Sequence, residues 1–171
     1  CLDSMGPYLD AVNVDLKFFK ESSYRRICKA SLAPVCESIE RFKKRGIWVE
    51  ITTLVIPGEN DSEEELAEIA AFIAGVDKDI PWHISRFHPD FSFDAYPLTP
   101  VDTLMRAAVC GRKAGLSSVY IGNVRERNET LCRHCGIALI KREVFSVLDN
   151  RIRNGACPEC MTKVPGVFDN P

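Results

Sequence analysis

From Ala11 to Phe19 (AVNVDLKFF) the apolar residues Val12, Val14 and Leu16 alternate with Asn13, Asp15 and Lys17, which is the two-residue period of a β-strand. After a polar connector, Pro34 to Arg45 sets Val35, Ile39 and Phe42 at helical spacing, and Gly46 supplies a stop. Ile47 to Ile56 is rich in β-branched residues and closes at Pro57-Gly58, predicting a second strand. Asn60-Asp61-Ser62 then offers caps for a helix with an acidic first turn, Glu63 to Glu65, and a buried stripe of Leu66, Ile69, Ala70 and Ile73. Trp82 to Phe87 reads as a third strand, running into His88-Pro89-Asp90 and a polar-aromatic loop to Pro97. Thr99-Pro100 opens a third helix, with proline at its first position and Asp102 in its first turn, ending near Ala114-Gly115. Ser117 to Ile121 is the fourth strand, ended by Gly122-Asn123.

Four strands alternating with three helices predict βαβ units, a parallel sheet and right-handed crossovers: an α/β fold. Such sheets bind ligands at the carboxyl ends of their strands. The residues there are Asp15 and Lys17, Thr52 to Ile56, Arg86 to Asp90, and Gly122-Asn123. A closed eight-stranded barrel needs roughly 250 residues. The 171 residues here therefore predict either a compact open sheet or the later part of a larger barrel.

Beyond about residue 125 the pattern changes. Two Cys-x2-Cys pairs, Cys132/Cys135 and Cys157/Cys160, bracket 21 residues. Four thiolates delivered by two tight turns suit a tetrahedral structural zinc, and iron of the rubredoxin type takes the same ligands. Gly136 and Gly155 suit tight knuckles. Four thiolates close the coordination sphere, so the site predicts a structural clamp rather than a catalytic metal. The expected division is residues 1–124 for the strand-helix part and 125–171 for the metal module.

Composition narrows the function classes. Net charge is −2, which argues against nucleic acid or an anionic membrane as the main partner, although Arg125 to Lys163 holds eight Lys/Arg against five Asp/Glu. No apolar run approaches the roughly 20 residues of a membrane span, and the first residues lack a signal-peptide pattern. A cytosolic chain is expected, in which metal explains the paired cysteines better than disulfides do. Cys1, Cys28, Cys36 and Cys110 read as free thiols.

The candidate chemistry each has a plain alternative. Asp15 and Lys17 put an anion and a cation on one face, where the ammonium can hold a carboxylate or phosphate; the alternative is a local ion pair. His88 stands at the mouth of the sheet with Phe87, Phe91, Phe93 and Tyr96 as a wall for a planar ligand; a surface histidine is the alternative. His83, inside a strand, reads as a satisfied core histidine. A hydrolytic zinc at His83 and His88 would need a third ligand and a general base, for which Asp90 and Asp94 are the candidates, although nothing in their spacing demands it. Thr52 to Gly58 can present backbone groups to a ligand, and no P-loop, Gly-x-Gly-x-x-Gly or Gly-x-Ser-x-Gly is present.

Together VNVDLK, VEITTLVIPGEND, HISRFHPD, VYIGN and the final knuckles resemble the later portion of the radical S-adenosylmethionine enzymes related to pyruvate formate-lyase activating enzyme. Within them the pattern is similar to the radical enzyme of the AmmeMemoRadiSam system. The resemblance implies the C-terminal half of a partial (β/α)6 TIM-like barrel with a zinc-ribbon-like tail. It also implies S-adenosylmethionine, a [4Fe-4S] cluster, an electron donor for that cluster, and a 5′-deoxyadenosyl radical that abstracts hydrogen from a partner. By motif, Lys17 would hold the methionyl carboxylate, Asp15 a monovalent cation, Thr52 and Leu54 would touch the cofactor, and His88 would lie near its ribose and adenine. Thr52 stands where activating enzymes have arginine.

The family's Cys-x3-Cys-x2-Cys cluster motif does not occur in this sequence. The expectation is therefore a cofactor-binding half whose cluster ligands lie outside this chain, completed by an N-terminal barrel half, and unable alone to cleave S-adenosylmethionine. A macromolecular substrate is in keeping with glycyl-radical-activating relatives. The reading kept beside it is a zinc-ribbon module that binds protein or nucleic acid on an α/β scaffold.

Overall fold

The computed structural model describes residues 2–125, 127–143 and 146–168. It divides into two units, Cys1–Gly122 and Asn123–Pro171. A short helix α1 (Leu2–Met5) and a 3-10 turn (Gly6–Tyr8) precede strand β1 (Ala11–Asp15). Helix α2 (Glu21–Ser23) runs into a π-helical turn (Tyr24–Cys28) and is followed by α3 (Leu32–Lys44) and β2 (Trp48–Val55). Helix α4 (Glu63–Val76), β3 (Trp82–Arg86), a 3-10 turn (Phe91–Phe93), α5 (Val101–Ala114) and β4 (Val119–Gly122) complete the first unit. The strands pair in sequence order, all parallel.

On β2 the alternation is sharp. Val49, Ile51, Thr53 and Val55 are buried, while Glu50, Thr52 and Leu54 are half-exposed on the other face. Trp82 and Ile84 of β3 join the buried layer, as do Ile69 and Ile73 of α4 and Leu104, Ala107 and Ala108 of α5. Gly111 lets α5 come close: a Cβ there would lie 2.9 Å from Val119 Cγ2 and 3.0 Å from Trp82 Cε3. Helices α3 and α5 end alike, at Gly46 and Gly115 with φ of 76° and 91°. In both, the following residue's N–H reaches back to the helix, Ile47 to Phe42 O and Leu116 to Gly111 O. These are Schellman ends, and Ile47 and Leu116 are buried as that motif favours.

The sequence expectations meet three corrections in this unit. The strand predicted to Phe19 stops at Asp15, although Leu16 and Phe18 keep the alternation and are buried. Leu16 N still donates to Thr52 O of β2 at 3.0 Å, and beyond it side chains replace the ladder. Leu16 O accepts from Thr53 Oγ1 at 2.8 Å, Lys17 O from Asn60 Nδ2 at 2.6 Å, and Glu65 Oε1 accepts from Phe19 N at 2.9 Å. Period-two burial without a neighbouring strand looks the same in sequence. The polar connector contains helical turns, and α3 begins at Leu32 rather than Pro34, its first N–H donating to Glu21 Oε2 at 2.8 Å. That bond holds the Glu21 carboxyl below its ordinary value. Pro100 sits just before α5, not at its first position.

The three caps offered before α4 divide their work. Ser62 Oγ accepts from Glu65 N at 3.3 Å and is the N-cap; Asp61 Oδ1 accepts from Gly58 N at 2.9 Å. Asn60 is buried and turns back into the sheet. Its Nδ2 donates to Lys17 O and to Leu54 O (2.9 Å), and its Oδ1 accepts from Ile56 N at 2.7 Å. Ser62-x-x-Glu65 has the form of a capping box, but the Glu65 carboxylate is fully buried and faces Phe19 N and Lys20 Nζ (3.2 Å). The lysine sits as an ion pair rather than as a well-aligned hydrogen bond.

The second unit has a three-stranded antiparallel sheet that the cysteine spacing did not announce: β5 (Arg127–Leu131), β6 (Ala138–Glu143) and β7 (Ser146–Asn150), in that order. No helix among the described residues is long and apolar enough to cross a membrane.

Asn60→Ala leaves two carbonyls and one N–H without their partner. Unfolding free energy is expected to fall by roughly 2–4 kcal/mol, since each buried orphan costs about 1–3 kcal/mol before relaxation. Urea unfolding followed by tryptophan fluorescence measures this, because both tryptophans, Trp48 and Trp82, lie in the first unit. Gly111→Ala should also destabilise: overpacking costs about 1–3 kcal/mol against about 1 kcal/mol of helix propensity gained. An unchanged or raised midpoint would contradict the close approach.

Candidate functional site

Three connecting segments meet at the carboxyl ends of β1 to β3. Asp15 ends β1, and Lys17 Nζ lies 2.9 Å from Asp15 Oδ2 with the side chains 41% and 54% exposed, Lys17 first. A pair so exposed contributes about 0–1 kcal/mol to stability and leaves both groups open to a ligand. Tyr24, buried in the π-helical turn, accepts from Lys17 N through its hydroxyl at 3.2 Å, and that hydroxyl lies 3.5 Å from Asp15 O. Burial pushes the phenol up to about 12, so it remains both donor and acceptor at neutral pH.

Thr52 stands beside Asp15 in register, and its Oγ1 donates to Asn13 Oδ1 at 3.1 Å. Leu54, two residues along the same face, is level with Ser85 of β3. His88 is exposed in the segment after β3. Its neighbour Phe87 is buried against Phe93 and Tyr96, with ring centroids 6.3 and 6.4 Å away. The aromatic wall therefore exists, except that Phe91 points to solvent at 93% exposure. The structure thus gathers Asp15, Lys17 and Thr52, and sets Leu54 and His88 at the same ends of neighbouring strands.

Further ties fix these segments. Thr99 Oγ1 donates to Val55 O at 2.6 Å and accepts from Phe87 N at 3.1 Å, locking the ends of β2 and β3. Glu59, after β2, takes Arg26 from the π-helical turn in a two-pronged ion pair and the Tyr96 hydroxyl at 2.5 Å. The Arg26 guanidinium holds the Glu59 carboxyl below its ordinary value. Sequence reading missed Tyr24, Asn60, Glu59 and Thr99. The Asn60-Asp61-Ser62 run was visible, but only as a choice of helix caps.

His83, Asp90 and His88 do not assemble a metal site. His83 Nε2 is engaged by Glu50 Oε2 at 2.7 Å, and Asp90 Oδ1 accepts from Phe91 N at 2.8 Å. Among the described residues, the group of metal-ligand side chains that converges is Cys132, Cys135, Cys157 and Cys160, with all four sulfurs within 4.8 Å of one another. Cys132 and Cys160 Sγ are 3.5 Å apart, Cys135 and Cys157 Sγ 3.6 Å. Four sulfurs at roughly 2.3 Å from one tetrahedral ion lie about 3.8 Å apart, so the quartet fits a single metal ion.

The two knuckles repeat one backbone pattern. Cys132 N donates to Ile137 O and Gly136 N to Cys132 O; Cys157 N donates to Thr162 O and Met161 N to Cys157 O. Gly136 has φ 75° and its counterpart is Met161, a non-glycine at φ 60°. Gly155 is not a knuckle residue, correcting the expectation. With Asn154 it forms the positive-φ turn joining Arg153 and Ala156, whose backbones exchange both hydrogen bonds. The buried centre of this unit is Cys132, Leu139 and Cys157, edged by Ile137, Ile140, Ile152 and Val164.

Backbone N–H groups of Cys135 and His134 hold the Cys132 thiol below its ordinary value. The Thr162 hydroxyl and N–H hold Cys160 at about 5. At Cys135 the Ile137 N–H pulls downward, but burial and the neighbouring sulfurs prevail and push it to about 12. Cys160 is thus a ready-made thiolate at neutral pH, and a metal would displace the proton held on Cys135.

Residues 2–70 of the first unit, which carries ligand-facing groups at the ends of parallel strands, match the Radical SAM superfamily. The chain is 38% identical over 161 residues to an uncharacterised protein of Methanocaldococcus jannaschii, covering 91% of this chain and 48% of that protein. It thus spans about half the length of the curated relative it matches. Among solved structures, a domain of a pyruvate-formate lyase-activating enzyme from Bacteroides vulgatus superposes with a TM-score of 0.64 at 17% identity, over 71% of this chain and 73% of that one. A radical SAM methyltransferase from Sphaerobacter thermophilus gives 0.55 at 15% identity, over 70% of this chain and 38% of that one. These likenesses establish the fold.

Metal loading at neutral pH should release protons, because Cys135 is protonated in the free site. Affinity is therefore expected to rise with pH between 6 and 8, measured by competition with a chromophoric chelator; a flat profile would contradict the assignment. Strong chelation, or Cys157→Ala, should expose residues 123–171 to protease while tryptophan fluorescence of the first unit holds.

Proposed function

We propose that this chain is the S-adenosylmethionine-binding part of a cytoplasmic radical SAM enzyme of the activating-enzyme type, akin to the radical enzyme of the AmmeMemoRadiSam system. The observation that carries this reading is the exposed Asp15–Lys17 pair at the end of β1, beside Thr52, in a segment that matches the superfamily. An ammonium held in place by its backbone suits the methionyl carboxylate, and Asp15 suits the cation beside it. Leu54 and His88 would supply the apolar and aromatic contacts of the nucleoside.

The cluster does not fit the residues of this chain. No three of its cysteines have the Cys-x3-Cys-x2-Cys spacing. The quartet is too compact, since a four-iron cube carries its thiolates on four different irons and spreads them further than one ion does. We therefore assign the [4Fe-4S] ligands, and the docking of an electron donor, to polypeptide beyond these residues, the complementary barrel half. The quartet is assigned to zinc as a structural clamp. A macromolecular substrate, as for glycyl-radical activation, goes with this reading.

S-adenosylmethionine binding by titration calorimetry tests it. Lys17→Ala should weaken binding about tenfold or more, the loss of a charge-assisted hydrogen bond worth roughly 1.5–3 kcal/mol. Binding that is absent, or indifferent to Lys17, would overturn the assignment. After anaerobic iron-sulfur reconstitution, the 171 residues alone should make no 5′-deoxyadenosine.

A further inference from the structure

On the half-exposed face of the sheet, a group of side chains outside the proposed cofactor contacts is arranged around one imidazole. His83 Nε2 lies 2.7 Å from Glu50 Oε2, and the other carboxylate oxygen accepts from the Trp48 indole N–H at 3.0 Å. The His83 ring stacks on Tyr120, with centroids 5.3 Å apart and planes 29° from parallel. A carboxylate only accepts, so Nε2 carries the hydrogen and the neutral ring keeps its lone pair on Nδ1. Nδ1 has no hydrogen-bond partner among the described residues, and the side chain is 32% exposed.

Position adds to this. His83 is level with Thr52, and Thr52 with Asp15, so the three occupy one row across β1 to β3. Neighbouring strands lie about 4.8 Å apart, which puts the His83 and Asp15 backbones roughly 10 Å from each other, within the span of one small ligand. A pair this exposed adds little to stability, yet Tyr120 stacks on its ring and Trp48 holds its carboxylate in place. An imidazole oriented by a carboxylate, with its second nitrogen open, is the arrangement that takes a proton from a bound ligand.

We propose that Glu50 and His83 form an acid–base site for a ligand lying over this face and carrying a hydroxyl or amine. The ligand's O–H proton, or the N–H proton of its ammonium form, passes to Nδ1, and the bonding pair stays on the oxygen or nitrogen. The Nε2–H remains hydrogen-bonded to Glu50, whose charge balances the imidazolium. Tyr120 and Trp48 are positioning residues. The proposal stands on this geometry alone and does not require S-adenosylmethionine at Asp15 and Lys17.

Acylation by diethyl pyrocarbonate tests it on the full chain at pH 8, with peptide mapping to read each histidine separately. His88 and His134 serve as internal references. His83 should be acylated, and Glu50→Gln should slow it at least about threefold while the other two rates hold, the response expected when the carboxylate that orients the ring and balances its developing charge is lost. Nitrogen-15 NMR of the wild-type histidines, which needs no variant, should show the neutral His83 ring protonated at Nε2. An unreactive His83, a rate indifferent to Glu50→Gln, or a hydrogen on Nδ1 would each overturn the proposal, whatever S-adenosylmethionine binding shows.

Discussion

Backbone groups at the end of a parallel strand have lost their ladder but not their need for partners, and in this fold they lie where a ligand must bind. Water cannot serve them once the segment is buried. Here side chains do: Thr53 for Leu16, Asn60 for Lys17, Leu54 and Ile56, Glu65 for Phe19, and Thr99 for Val55 and Phe87. Asn60 is central because its one amide joins the ends of β1 and β2. Lys17 can present its ammonium outward because its own carbonyl is held inward by that amide.

The same constraint explains what sequence could and could not reveal. The strands and three long helices were legible because burial imposes a period, and both Schellman glycines announced their helix ends. The segment from Leu16 to Phe19 was misread as strand because side-chain partners impose the same in-out alternation as a sheet does. Asn60 was misread for a different reason: beside Asp61 and Ser62 it looks like one more cap, and only the three-dimensional meeting of two strand ends gives it another role. Glu65 is similar, since Ser-x-x-Glu signals a local box while the carboxylate actually bridges to Phe19, 46 positions away. The antiparallel ribbon strands stayed hidden because Arg127–Leu131 and Ser146–Asn150 are largely polar or exposed. The cysteine quartet was legible because each Cys-x2-Cys turn is local, although Gly155 lies outside the knuckles.

The two units are stabilised differently. The first buries a continuous apolar layer between sheet and helices. Among its described residues the second has few large buried side chains, and two of the three at its centre are cysteines of the quartet that could hold a metal, so its core and its candidate ligand set share side chains. In such a module, folding and metal binding are one equilibrium.

The junction of Arg26, Glu59 and Tyr96 carries a consequence for how a ligand is received. It unites the turn after β1, the turn after β2 and the loop after β3 through a single carboxylate. Three loops that would otherwise fluctuate separately share one anchor, so part of the ordering that a guest would impose has been done at folding. Binding there should carry a smaller entropic penalty than an untied rim would exact.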